Sequence, residues 1–200
     1  MLKSNIIAIL MLSALSTDSL ASFNVSLSGS TSKSAFGLES HERSNVSASF
    51  AVGLARFVRL GLTHRRSFEK KKGLRRQRLS DERTIYYEFV DDTEVLTSSI
   101  DLTVILYHGQ VSPFIFGGAA RRDYFSETVN PFESNKFSIE NDIVPNYGLG
   151  LSIMLSREFS LKLTQTYTEG EKIELSPIGE EIKSKTTDSF SQIGISYRFQ

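Results

Sequence analysis

The stretch Asn45-Val46-Ser47-Ala48-Ser49-Phe50-Ala51-Val52-Gly53-Leu54-Ala55 sorts its side chains by parity. Val46, Ala48, Phe50, Val52 and Leu54 fall on one side, and Ser47, Ser49, Ala51, Gly53 and Ala55 on the other. A period of two marks a β-strand, whose successive side chains point to opposite faces; a helix would repeat its apolar residues at every third and fourth position. The pattern recurs along the chain. Val58, Leu60 and Leu62 oppose Arg59, Gly61, Thr63 and Arg65, while Leu96, Ile100, Leu102, Val104 and Leu106 oppose Thr97, Ser99, Asp101 and Thr103. Tyr147, Leu149, Leu151, Ile153 and Leu155 oppose Gly148, Gly150 and Ser152. Residues 23–28, 159–166 and 192–199 alternate in the same way, and residues 112–123 are strand-like, although Phe114-Ile115-Phe116-Gly117-Gly118 leaves their facing open. The reading predicts eight strands.

The connections alternate in length. Residues 32–44, 67–94, 124–143 and 170–188 form long loops, whereas Arg56-Phe57, His108-Gly109-Gln110 and Ser156-Arg157-Glu158 are short turns. Long loops at one end and short turns at the other are what an antiparallel up-and-down meander with an even number of strands produces. In the second connection, Ile85, Tyr86, Tyr87, Phe89 and Val90 have high strand propensity, so the fourth strand is expected to continue past the membrane. A barrel of eight strands has an interior just wide enough for side chains to fill. Gly, Ser and Thr fit that interior, so the face carrying Leu, Ile, Val, Phe and Tyr meets lipid, the reverse of a soluble lipocalin-like barrel. Closure also satisfies every backbone group without water. The expected fold is all-β, an eight-stranded antiparallel up-and-down transmembrane β-barrel over residues 22–200, with long loops outside and short turns in the periplasm.

The length of 200 residues bounds the chain to one domain. Ahead of the barrel stand Lys3, the apolar run Ile6-Ile7-Ala8-Ile9-Leu10-Met11-Leu12-Ser13-Ala14-Leu15 and the small-residue site Ser19-Leu20-Ala21, the three parts of a signal peptide over residues 1–21. The 23 basic and 23 acidic residues cancel, which argues against nucleic acid as a partner. Without cysteine there is no disulfide, thiolate metal site or Cys nucleophile. No H-E-x-x-H, G-x-S-x-G or P-loop occurs, and His64 and Ser67, three apart in a strand, point to opposite faces. The expectation is a non-enzyme with no cofactor and no metal.

The ending Phe190-Ser191-Gln192-Ile193-Gly194-Ile195-Ser196-Tyr197-Arg198-Phe199, together with Pro113-Phe114-Ile115-Phe116-Gly117-Gly118, resembles the small eight-stranded outer-membrane barrels of Gram-negative bacteria. These are of the OmpA-transmembrane-domain, OmpX, OmpW and opacity-protein type, and the resemblance covers residues 22–200. It implies location in the bacterial outer membrane. It also implies that Ile193, Ile195, Tyr197 and Phe199 form the C-terminal signal read by the outer-membrane assembly machinery, here followed by Gln200. With no Trp in the chain, an interfacial girdle rests on Phe23, Phe57, Tyr107, Tyr147, Phe159, Tyr167, Tyr197 and Phe199.

Two groups of residues are candidates for function. Alternation points Arg59, Asp101, Lys162 and Arg198 inward, where long charged side chains are expected to pair across the lumen as a plug, a gated pore being the alternative. The second loop gathers Arg65, Arg66, Lys70, Lys71, Lys72, Arg75, Arg76 and Arg78, which outside the membrane would meet lipopolysaccharide phosphates; a solvated loop is the plainer reading. The functional expectation is a monomeric envelope-structural or surface-interaction protein acting through four extracellular loops. The alternatives are a narrow channel for small or apolar solutes and, behind it, a lipid A modifying enzyme.

Overall fold

The computed structural model describes residues 22–78, 84–131, 134–175 and 181–199. The expected signal peptide, residues 1–21, lies outside the described residues. Eight strands follow in order: β1 (Phe23–Phe36), β2 (Glu39–Ala55), β3 (Val58–Arg78), β4 (Thr84–Ile105), β5 (Val111–Val129), β6 (Ser134–Met154), β7 (Phe159–Leu175) and β8 (Glu181–Phe199). Each pairs antiparallel with its neighbours in sequence, and β8 returns to β1, so the sheet closes into a barrel.

Alternation decides what faces where. Leu27, Val46, Leu62, Ile100, Leu149 and Ile195 stand exposed on the outer wall, while Asn24, Ser26, Ser47, Thr97, Thr166 and Ser196 are buried in the lumen. In water this arrangement would be inside out; in lipid it is the low-energy one. Aromatic side chains gather near the turn end, with Phe159 and Tyr197 ring centres 4.9 Å apart and Tyr197 and Phe199 4.6 Å apart. Further along the wall Tyr147 stacks on Tyr167 at 5.7 Å.

The facing of residues 112–123 is settled by the partner strand. Phe114 and Phe116 point inward and Ile115 outward. Opposite them in the β5–β6 ladder stand Gly150 and Gly148, and a Cβ on either glycine would overlap the facing ring. Two glycines thus make room for two large rings in a lumen otherwise filled by small residues.

The four long loops expected over residues 32–44, 67–94, 124–143 and 170–188 are instead continuations of the strands. β1 and β2 stay paired as far as Phe36↔Glu39 and reverse on Gly37-Leu38, where Gly37 adopts φ 61°, a left-handed conformation that glycine takes without steric penalty. β3 and β4 stay paired to Arg78↔Thr84. A membrane-spanning strand needs about 9–11 residues. β3 has 21 and β4 has 22, so about half of this hairpin stands beyond the lipid-facing belt. The apolar period stops at the rim because the outer face then meets water in place of lipid, while the backbone ladder continues. At the other end, the turn expected over 108–110 begins at Leu106, since β4 ends at Ile105.

The hairpins are unequally supported. Residues 73–78 of β3 and 84–89 of β4 pair only with each other, past Ser40↔Lys72 on one side and Val90↔Val129 on the other. The β7–β8 hairpin loses its backbone neighbours above Asn146↔Thr168 and Gly29↔Ile193. A bulge in β6, where Arg122 pairs with Asp142 but Tyr124 with Ile139, exchanges the parity of that strand. Below it Val144 and Asn146 are buried; above it Phe137 and Ile139 are half-buried while Ser138 and Glu140 are exposed. The filling changes with it: Phe89, Val95 and Tyr124 are buried at the hairpin end beside the charged groups of Arg122 and Asp188, where the belt has small polar side chains.

Candidate functional site

Arg59, Asp101, Lys162 and Arg198 sit on the lumenal parity, but they do not form one network. Asp101, 5% exposed, accepts from Ser99 Oγ at 2.6 Å and Asn146 Nδ2 at 2.8 Å. The Asn146 side-chain oxygen Oδ1 accepts from Thr168 Oγ1 at 2.9 Å, and Thr168 Oγ1 accepts from Arg65 Nη2 at 2.8 Å. Among the described residues no ion pair joins Asp101 to Arg59, Lys162 or Arg198, so the expectation of a single network is corrected. The reason is height. Arg59 is in register with Thr103, two residues or roughly 7 Å of strand nearer the turn end than Asp101.

The charge balance at the hairpin end rests on Asp188. Arg122 Nη2 lies 2.9 Å from its Oδ2, and Arg43 Nη2 3.3 Å from its Oδ1. Arg122 is 1% exposed and also donates through Nη1 to the Glu171 carbonyl at 2.7 Å. The guanidinium groups of Arg43 and Arg65 lie over the Phe190 ring at 4.3 and 4.4 Å. A desolvated contact of this kind, as for the buried Arg65, is worth about 2 kcal/mol, and a partly exposed one, as for Arg43, about 0.5–1 kcal/mol. This layer ties the base of the β7–β8 hairpin to β2 and β5 where no backbone ladder reaches it. Sequence reasoning missed it because Arg43 and Asp188 fell in segments read as loops and Arg122 in the segment of open facing. Extending the parity of Asn45 and Gln192 by two and four residues past the belt would have found Arg43, Phe190 and Asp188.

At the turn end, Arg59, Lys162 and Arg198 line a cavity of about 320 Å³ together with Asn24, His108 and Arg157. Lys162 Nζ is 3.4 Å from Ser26 Oγ and 5.4 Å from the centre of the Phe114 ring. The next cavity along the bore, with Asp101 and Asn146 in its wall, holds about 90 Å³.

The basic cluster of the second connection divides between two faces. Arg65, 4% exposed, points into the lumen, so its expected contact with lipopolysaccharide is corrected: the strand continues there and parity turns the side chain inward. Lys71 shares that face and lies 3.2 Å from Glu69, which His41 Nε2 also approaches at 3.1 Å. Arg66, Lys70 and Lys72 are on the outer face. Arg66 Nε is 2.6 Å from Glu94 and its guanidinium lies over Phe68, while Lys70 Nζ is 3.0 Å from Asp92. The expectation for Arg75, Arg76 and Arg78 falls on side chains outside the described residues.

His64 does find a serine, on the adjacent strand and not three residues along. Its Nδ1 is 2.9 Å from Ser98 Oγ on the outer wall, and among the described residues no carboxylate lies within ion-pair distance of the ring. His41 is on the opposite face of the sheet and does not join it. On β8, Ile193, Ile195 and Phe199 are exposed on the outer wall, with Phe199 paired to Phe23 where the barrel closes.

A closed ring of eight antiparallel strands with an apolar outer belt, a polar lumen and hairpins rising from one end is the fold of the small bacterial outer-membrane barrels, and this chain has that fold, with the apolar belt a membrane-spanning barrel requires. It is similar to OprG from Pseudomonas aeruginosa, with a TM-score of 0.52, 12% identity, and 90% of this chain and 96% of that one covered. A major outer membrane protein from Thermus thermophilus gives a TM-score of 0.51 at 16% identity, covering 90% of this chain and 99% of that one. Neisserial surface protein A gives 0.51 at 12% identity, covering 88% and 97%. At these identities the likeness is one of fold. No protein-family model matches the chain, and no curated protein does.

Proposed function

We propose that the protein is a monomeric, non-enzymatic barrel with an envelope-structural or surface-interaction role, carried by its four hairpins on the outside of the cell. The β3–β4 hairpin is the observation behind this reading. Its ladder runs from Val58↔Val104 to Arg78↔Thr84. The ten residues beyond Phe68 correspond to roughly 33 Å of ribbon. So much ordered backbone beyond the lipid belt serves display, while the buried layer around Arg122 and Asp188 occupies the bore beneath. Arg66, Lys70 and Lys72, on the outward foot of the hairpin, are the side chains for lipopolysaccharide phosphates. Glu94 and Asp92 offset two of these charges, so that contact is weak and sensitive to salt. Ile193, Ile195, Tyr197 and Phe199 form the surface offered to the assembly machinery. The test is recording from purified, folded protein in planar bilayers. Silence is expected; a discrete, reproducible conductance would replace this reading with the narrow channel.

A further inference from the structure

The charges of the lumen are not spread evenly. Asp101 and Asp188 both lie farther from the turn end than Arg59: Asp188 pairs with Arg122 and Arg43 at the hairpin end, and Asp101, at mid-barrel, connects to Arg65 through Asn146 and Thr168. The 320 Å³ chamber at the turn end takes Arg59 from β3, Arg157 from the 155–158 turn, Lys162 from β7 and Arg198 from β8, and no carboxylate is among its lining residues. Glu158, beside Arg157 in sequence, is exposed and accepts instead from Ser156 Oγ at 3.2 Å. We propose that this chamber is a binding site for a small organic phosphate.

Four cationic side chains converging on one pocket with low-dielectric walls repel one another and raise the local concentration of anions. A second observation points the same way. Asn24, 5% exposed and paired with Arg198 in the β1–β8 ladder, has a buried Nδ2 with no hydrogen-bond partner among the described residues. A buried donor is costly to leave unpaired, and a ligand acceptor in the chamber would satisfy it. Guanidinium forks match phosphate oxygens in pairs, which suits an oxyanion better than a halide. Ile105, Phe114 and Met154 supply an apolar wall, which favours an organic body on the phosphate over a bare inorganic ion. The volume sits at the lower end of the range of ligand pockets, about 300–1,000 Å³. With only about 90 Å³ in the next cavity along the bore, the chamber is a terminal pocket and not a segment of a wide conduit.

The test is calorimetric titration of the folded full-length barrel in maltoside micelles at low ionic strength with phenyl phosphate, with benzyl alcohol as the uncharged control. Saturable binding of one phenyl phosphate per barrel is expected, with none for benzyl alcohol. Arg59→Gln and Lys162→Gln should each weaken it about tenfold or more. Should either fail to fold, Arg157→Gln carries the test, because that side chain stands in a turn and leaves the strand ladders untouched. Lys136→Gln at the opposite end, where the side chain is exposed and pairs with Glu127, should change nothing. The titration repeated in nanodiscs with phosphatidylglycerol identifies the source: unchanged affinity assigns the site to a soluble organic phosphate, and a loss of about tenfold or more assigns it to the lipid headgroup. Absence of saturable binding, or binding indifferent to both Arg157→Gln and Lys162→Gln, overturns the proposal.

Discussion

Arg122 on β5 and Asp188 on β8 meet at 2.9 Å across the bore of the barrel, on strands that are not neighbours in the sheet. Arg43 holds the other carboxylate oxygen from β2 at 3.3 Å. One acid thus joins three strands above the level at which the β8 backbone parts from β1.

Removing that acid leaves the buried Arg122 guanidinium without its carboxylate, while Arg43, partly exposed, keeps Glu69 at 3.7 Å. Asp188→Ala should lower stability by about 3–5 kcal/mol. Asp101→Ala deprives only the neutral donors Ser99 and Asn146, and should cost about 1–3 kcal/mol. Urea unfolding midpoints of the two variants, measured side by side in micelles, check the order. If Asp101→Ala proves the more damaging, the electrostatic centre lies at mid-barrel after all.

Gly170 leaves the space that the Arg122 guanidinium fills, since a Cβ there would crowd its Nη1 and Cζ. Gly170→Ala should therefore cost about 1–3 kcal/mol by pushing Arg122 off Asp188 and the Glu171 carbonyl. In an Arg122→Ala background the same change should be close to neutral. Additive losses in the double-mutant cycle would mean that the glycine serves the backbone and not the arginine.

The orientation assigned to the hairpins predicts that trypsin added to intact cells cuts within residues 70–78, at the lysines and arginines of the β3–β4 hairpin. Cleavage seen only after the outer membrane has been opened would reverse the barrel in its bilayer.

Phe199 packs on Tyr197 and pairs with Phe23 where the sheet closes. Phe199→Ala should reduce the amount of folded protein in the outer membrane several-fold and leave the remainder to periplasmic proteolysis. Quantitative blotting of membrane fractions reads this directly, and equal levels for variant and wild type would remove the residue from the assembly signal.

The contact of His64 with Ser98 has a nucleophile and a base but no described carboxylate to orient the imidazole. His64→Ala and Ser98→Ala should leave the lipid A species of the cell unchanged by mass spectrometry. A species lost in both variants would make the pair catalytic.

The belt was legible in the sequence because lipid imposes a period of two: Val46 to Leu54 and Tyr147 to Leu155 cannot be read another way. Of the hairpins, only the continuation of the fourth strand through Ile85–Val90 was legible, in its β-branched and aromatic residues; elsewhere outside lipid Lys70, Glu88 or Glu127 is acceptable on either face and hydrogen-bonded backbone leaves no mark in composition. Phe114-Ile115-Phe116 was ambiguous for a different reason. Both parities are large and apolar, and the deciding residues, Gly148 and Gly150, lie on the next strand, far along the chain. Asp101, Arg59, Lys162 and Arg198 were assigned to the right face but to a shared network, since parity reports direction and not height along the bore.

The ladder between β1 and β8 runs only from Phe23↔Phe199 to Gly29↔Ile193, and it joins the two ends of the chain. Ser26 and Ser196, hydrogen-bonded across it, are 170 residues apart, whereas Ser28 and Ser47 in the first hairpin are separated by 19. Bringing the distant pair together costs about 2 kcal/mol more in chain entropy than forming the near one. The hairpin ladders can therefore form locally before this seam does, and until it does, the chain is an open sheet with two unsatisfied edges that lipid cannot solvate. Closing this seam is then the step that makes membrane residence possible, since it removes both edges at once.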